Sequence, residues 1–135
     1  MVRILMGLVL VVGISGAARA QDDGAAIRGV ISDQIAAFEQ DDFAAAFEYA
    51  SPGIRQMFGT SERFGQMVRE GSPMVWRPGE VRFSDLDLRD GRKVQRVLVT
   101  DDAGALSVLE YDMVEGEQGW RIDGVRVLRE GEVGA

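Results

Sequence analysis

Apolar residues follow two different rhythms along this chain, and the change of rhythm divides it into a helical half and a strand half. An unbroken apolar run, Ile4 to Ile14 (ILMGLVLVVGI), follows Arg3, and Ser15, Gly16 and Ala17 loosen it. The period then becomes helical. Ile27, Ile31, Ile35 and Phe38 stand at i, i+4, i+8 and i+11, one face of an α-helix, with Asp22 or Asp23 near its start. Asp41-Asp42 interrupts that face and offers a cap for a second helix, where Phe43, Phe47 and Ala50 repeat the spacing. Ser51-Pro52 opens a third, with Ser as N-cap and Pro in the first turn, and Ile54, Met57 and Phe58 carry its apolar side. Gly59 breaks it. Thr60 or Ser61 caps a fourth helix burying Phe64, Met67 and Val68, and Gly71-Ser72-Pro73 closes the helical half.

The second half reads as strands. Val75-Trp76 is expected to be a short extended piece, ended by Pro78-Gly79. Val81 to Leu88 leads into Asp90-Gly91, a hairpin-turn pair. Val94 to Thr100 follows, then a turn at Asp101–Gly104, then the long strand Ala105 to Val114. Trp120 to Leu128 is the last strand. Its apolar alternation at Trp120 and Ile122 slips by one to Val125 and Val127, which predicts a bulge at Asp123-Gly124. Short turns between consecutive strands imply an antiparallel meander. Helices first and an antiparallel sheet second make an α+β fold, with the helices on one sheet face.

Composition adds a destination. Arg3, the apolar run and Ala18-Arg19-Ala20 form the pattern of a cleavable signal peptide over residues 1–20. The run is too short for a membrane-spanning helix, which needs about 20 apolar residues. The expected product is one α+β domain at residues 21–135, ordered from about 25 to 129, exported to a periplasm or secreted. No membrane association is expected after cleavage. The net charge of −7 moves to −9, because the segment removed carries Arg3 and Arg19 and no acid. An acidic balance argues against nucleic acid and anionic membranes, both of which demand a basic patch.

Two absences narrow the chemistry. The chain has no cysteine, hence no disulfide, thiolate nucleophile or cysteine zinc site. It has no histidine either, which removes the Ser-His-Asp triad and nearly every transition-metal site. No metal and no cofactor are expected. Asp41-Asp42 reads as a turn and cap, since no further carboxylates stand at calcium-loop spacing. Any catalysis would have to use carboxylates, Tyr, Arg or the single lysine, Lys93.

The stretch IRGVISDQIAAFEQDDFAAAFEYASPGIRQMF resembles the opening of a nuclear-transport-factor-2-like domain, and GWRIDGVRVL resembles that superfamily's last strand. Within it, Ile27 to Leu128, including SERFGQMVREGSPMVW, is most similar to the domain-of-unknown-function 4864 family. The resemblance implies a cone-shaped domain whose helices and curved antiparallel sheet enclose an apolar pocket. It implies no particular activity, because the superfamily hosts enzymes, binders and scaffolds alike. Its isomerase-like members pair a carboxylate base with Tyr, but the first helix here has no Tyr. Its epoxide-hydrolase-like members use an Asp-Arg-Asp set, for which Asp85, Arg96 and Asp112 are the candidates. The expected pocket lining is Phe38, Phe47, Phe58, Trp76 and Tyr111.

Two classes of function stay open. One is a non-catalytic module that holds a small apolar ligand or a protein partner, a second copy of the chain among them. The other is a cofactor-free acid–base enzyme, an isomerase or hydrolase, working with carboxylates and Tyr111.

Overall fold

A computed structural model describes residues 15–128, with side chains from Asp22 onward. The apolar run after Arg3 and the tail from Arg129 lie outside the described residues. Five helices come first: α1 (Ser15–Glu39), α2 (Phe43–Glu48), α3 (Pro52–Phe58), α4 (Ser61–Gly71) and α5 (Pro73–Trp76). Four strands follow: β1 (Glu80–Arg89), β2 (Arg92–Thr100), β3 (Leu106–Gly116) and β4 (Gly119–Leu128). They form one open, curved antiparallel sheet in sequential order β1-β2-β3-β4. Among the described residues, no helix is long and apolar enough to cross a membrane.

The apolar face of α1 behaves as its period demands. Ile27, Ile31, Ile35 and Phe38 are all buried, against Val97, Val99, Leu109, Tyr111, Met113 and Ile122 of the sheet. Each such aliphatic or aromatic side chain contributes roughly 1.5–3 kcal/mol when fully buried. Caps fall where short polar side chains precede the helices. Asp42, Ser51 and Thr60 accept from the backbone N–H groups of Ala45, Ile54 and Arg63.

Four expectations are corrected. Asp22 and Asp23 do not start the first helix but lie inside α1, within an alanine-rich stretch of high helix propensity. Val75-Trp76 is not extended: Pro73 to Trp76 form the single turn α5, with Pro73 in its first turn and Val75 N–H donating to the Ser72 carbonyl at 2.8 Å. Ala50 lies beyond α2, and Met67 is exposed rather than buried, as is Met57 on the apolar side of α3. Ala50 instead makes a parallel bridge to Ile122, which ties the α2–α3 corner to the edge of β4.

The sheet register sorts side chains between its two faces. Asp90 and Gly91, at φ 50° and 79°, form the left-handed two-residue turn that joins β1 to β2. Asp112 pairs with Gly124 while Met113 pairs with Ile122, so Asp123 is the extra residue of a bulge. Trp120, Ile122, Val125 and Val127 therefore share the helix-covered face, with Ile122 buried and Trp120 half-buried at the sheet end. Arg96, Glu110, Asp112 and Arg126 share the opposite face.

Candidate functional site

The helices do not fill the space over β4 completely. A cavity of about 400 Å³ lies between α1, α3, α4, α5 and the β4 bulge. Ile54 and Phe58 enter it from α3, Phe64 and Val68 from α4, and Ile122 and Val125 from β4. Spacing explains the convergence: Ile54 and Phe58, like Phe64 and Val68, stand four residues apart on one helical face. Phe64 stacks on Phe38 at 5.8 Å and meets Phe58 edge-on at 5.5 Å, so aromatic contacts hold one wall in place. Met57 and Met67, 70% and 55% exposed, form part of the lining and mark its mouth.

The polar lining is sparse. Among the described residues, Gln34 and Ser72 are its polar side chains, and no Asp, Glu, Lys, Arg or Tyr borders the cavity. Gln34 is 2% exposed and donates from Nε2 to the Ala46 carbonyl at 3.1 Å.

The expected lining is placed as follows. Phe38 and Phe58 border the cavity. Phe47 sits behind it, 5.2 Å from the Phe64 ring. Trp76 turns outward, where its Nε1 donates to Asp41 Oδ1 at 2.9 Å and Arg77 lies 4.0 Å over its ring. Tyr111 is fully buried in the core, and its hydroxyl has no hydrogen-bond partner among the described residues. Burial pushes the Tyr111 hydroxyl well above its ordinary value. Ile54, Met57, Met67, Val125 and Gln34 were missed as lining. Gln34 had a signal: a polar residue one turn after Ile31, inside the apolar stripe of α1.

Asp85, Arg96 and Asp112 are not brought together. Asp85 is exposed in the irregular stretch of β1 between Phe83 and Leu86. Arg96 pairs with Glu110 at 3.3 Å, and Asp112 with Arg92 at 3.2 Å, both on the face away from the helices. The ionic centre of that face is Glu110, only 3% exposed. Arg89 reaches it at 2.9 and 2.5 Å and Arg126 at 2.6 Å. The Arg89 hydrogen bond, seconded by Arg126 and Arg96, holds the Glu110 carboxyl down at about 2 against the penalty of burial. Arg89, Arg92 and Arg126 border a groove of about 390 Å³ there, balanced by Asp90, Glu110 and Asp112. Charges so matched act as an internal ion-pair lattice.

A family model for a domain of unknown function (DUF4864) matches residues 20–135. The chain belongs to that family. No curated protein and no solved structure matches it. What distinguishes this DUF4864 domain chemically is thus its own geometry: an apolar cavity under the helices and a closed arginine–carboxylate lattice on the far face.

Proposed function

We propose that this DUF4864 domain is an exported, non-catalytic module that holds a small apolar ligand in the cavity between α3, α4 and β4. The observation that carries the reading is the lining, which combines about 400 Å³ of apolar space with no ionisable side chain among the described residues. A site of that volume and lining suits a small molecule held by burial. An acid–base enzyme needs a titratable group within hydrogen-bond reach of its substrate, and this lining has none to offer. Asp85, Arg96, Asp112 and Tyr111 all stand elsewhere.

Export rests on Arg3, the apolar run and Ala18-Arg19-Ala20. It is supported by the family match, which begins at Ala20, and by Ile27, the first core isoleucine of α1, lying beyond the expected cleavage point. Intact mass of the exported protein tests it: a chain beginning at Gln21 is expected, and retention of Arg3 would refute cleavage.

Placement among nuclear-transport-factor-2-like domains is likewise our inference, supported by helices over one face of a curved sheet with a pocket between them. An experimental structure with helices on both faces would refute it.

The binding test uses N-phenyl-1-naphthylamine, a neutral probe that brightens in apolar surroundings. Saturable binding and a raised Tm are expected, about 2.7 kcal/mol of stability at a hundredfold excess over Kd. Val68→Trp, which fills the cavity from α4, should abolish both while circular dichroism stays unchanged. Equal binding by the variant would sink the reading. The exposed methionines favour one alternative, an apolar side chain of a protein partner entering the same mouth. Concentration-dependent association lost in Met57→Glu, with no probe binding in the parent, would establish it.

A further inference from the structure

We propose that the cavity selects an uncharged apolar molecule carrying one hydrogen-bond donor, a hydroxyl in the simplest case, and that Gln34 reads that donor. The inference rests on the cavity being a ligand site, and it adds the chemical class. Gln34 projects from the buried face of α1, one turn after Ile31, and borders the cavity while remaining 2% exposed. Its orientation is fixed by a neighbour. Only the amide nitrogen can donate to the Ala46 carbonyl, so the 3.1 Å contact places Nε2 there and leaves Oε1 as the other end. Among the described residues, nothing donates to that oxygen. Gln34 therefore borders an otherwise apolar chamber with an amide oxygen that receives no hydrogen bond from a described residue and is free to accept one from a ligand.

The same lining argues against charged ligands. A carboxylate or ammonium entering the cavity would shed water with no Arg, Lys, Asp or Glu among the described residues there to replace it. A pure hydrocarbon would enter but leave the Gln34 oxygen unmatched. A hydroxyl satisfies it. Ser72, the other polar side chain of the lining, is only half-buried at the α4–α5 corner and makes no side-chain cap hydrogen bond.

Three probes of one shape separate these cases: naphthalene, 2-naphthol and 2-naphthoate, titrated by fluorescence at pH 7 against the unaltered domain. The expected order is 2-naphthol tightest, naphthalene about fivefold weaker, and 2-naphthoate weaker than both by at least about tenfold. Gln34→Leu should lower 2-naphthol to the naphthalene level and leave naphthalene unchanged, and Ser72→Ala should preserve the preference. The comparison among probes needs no variant, so it stands even if Gln34→Leu folds poorly. Equal binding of 2-naphthol and naphthalene overturns the inference while leaving the cavity reading intact, as does tightest binding of 2-naphthoate. A preference erased by Ser72→Ala rather than Gln34→Leu overturns the assignment to Gln34. Binding of none of the three overturns the cavity reading together with the inference.

Discussion

Gln95 and Tyr111 stand directly opposite each other on β2 and β3, both fully buried, and each keeps a polar atom unpaired among the described residues. Gln95 spends its Nε2 on the Ser84 and Arg96 carbonyls at 3.1 and 2.9 Å, fastening the irregular stretch of β1. Its Oε1 and the Tyr111 hydroxyl are the unpaired atoms. A buried polar atom without a partner carries its desolvation penalty, about 1–3 kcal/mol. The aromatic body of Tyr111 thus serves the core while its hydroxyl works against it.

Tyr111→Phe is therefore expected to leave stability unchanged or raise it by up to about 2 kcal/mol, measured by urea melts. Probe binding should not change, since Tyr111 does not border the cavity. A loss above about 1 kcal/mol would mean the hydroxyl is satisfied in the folded chain.

Two glycines on helices should respond oppositely to alanine. A Cβ on Gly65 of α4 would fall 2.2 Å from Cγ of Phe43, near the root of a ring between α2 and α4. Gly65→Ala should cost about 1–3 kcal/mol, because that ring must move out of its packing. Gly29, exposed on α1, has open space around it, and Gly29→Ala should gain about 0.5–1 kcal/mol. Thermal melts of the pair check both signs, and a stabilising Gly65→Ala would contradict the close α2–α4 contact.

Much of this fold is legible because single periods persist. The α1 stripe declares its buried face over about three turns, and the slip from Ile122 to Val125 locates the bulge at Asp123-Gly124 from the sequence alone. Ser51-Pro52 and Asp42 announce their caps by local chemistry alone. One turn of helix has no period to read, so α5 passed for a strand. The site is harder still. Core and cavity wall are built from the same side chains, so composition cannot separate Phe58 at the cavity from Phe47 behind it. Met57 and Met67 fit their helical apolar faces, yet α3 and α4 turn them to the mouth. The Glu110 lattice depends on register, which sets Arg96, Glu110 and Arg126 side by side from three strands.

Ser51 joins a helix start to that bulge. Its hydroxyl accepts from the Ile54 N–H at 3.2 Å and donates to Asp123 Oδ1 at 2.7 Å, while Arg92 pairs with the other carboxylate oxygen. The Ser51 hydrogen bond, with Arg92 behind it, lowers the Asp123 carboxyl below its ordinary value. Ser51→Ala should cost about 1–2 kcal/mol through cap and link together. A double-mutant cycle with Asp123→Ala, which removes the acceptor, separates the two, because a real link appears as a coupling of about 0.5–1 kcal/mol. Strict additivity would reduce Ser51 to a cap.

The acid limb of stability should carry the signature of Glu110. Its carboxyl ordinarily titrates at 4.5 and is held at about 2 in the folded chain, chiefly by the Arg89 hydrogen bond. The unfolded chain therefore takes up the proton first as pH falls. The stabilisation from this group is complete above about pH 4.5, shrinks below it, and is gone once pH passes below about 2. Glu110→Gln keeps the shape but removes the charge that gathers Arg89, Arg96 and Arg126. At pH 7 the variant should lose about 2 kcal/mol, below the 3–5 kcal/mol typical of a fully buried pair. Solvent explains the smaller figure: the Arg89 and Arg126 side chains are 39% and 66% exposed and recover water when the carboxylate is lost. Urea melts of both proteins from pH 7 to pH 2 should show the gap narrowing steadily below about pH 4.5. A gap that stays constant down to pH 2 would mean that Glu110 contributes through packing, and the ionic account of the outer face would fall.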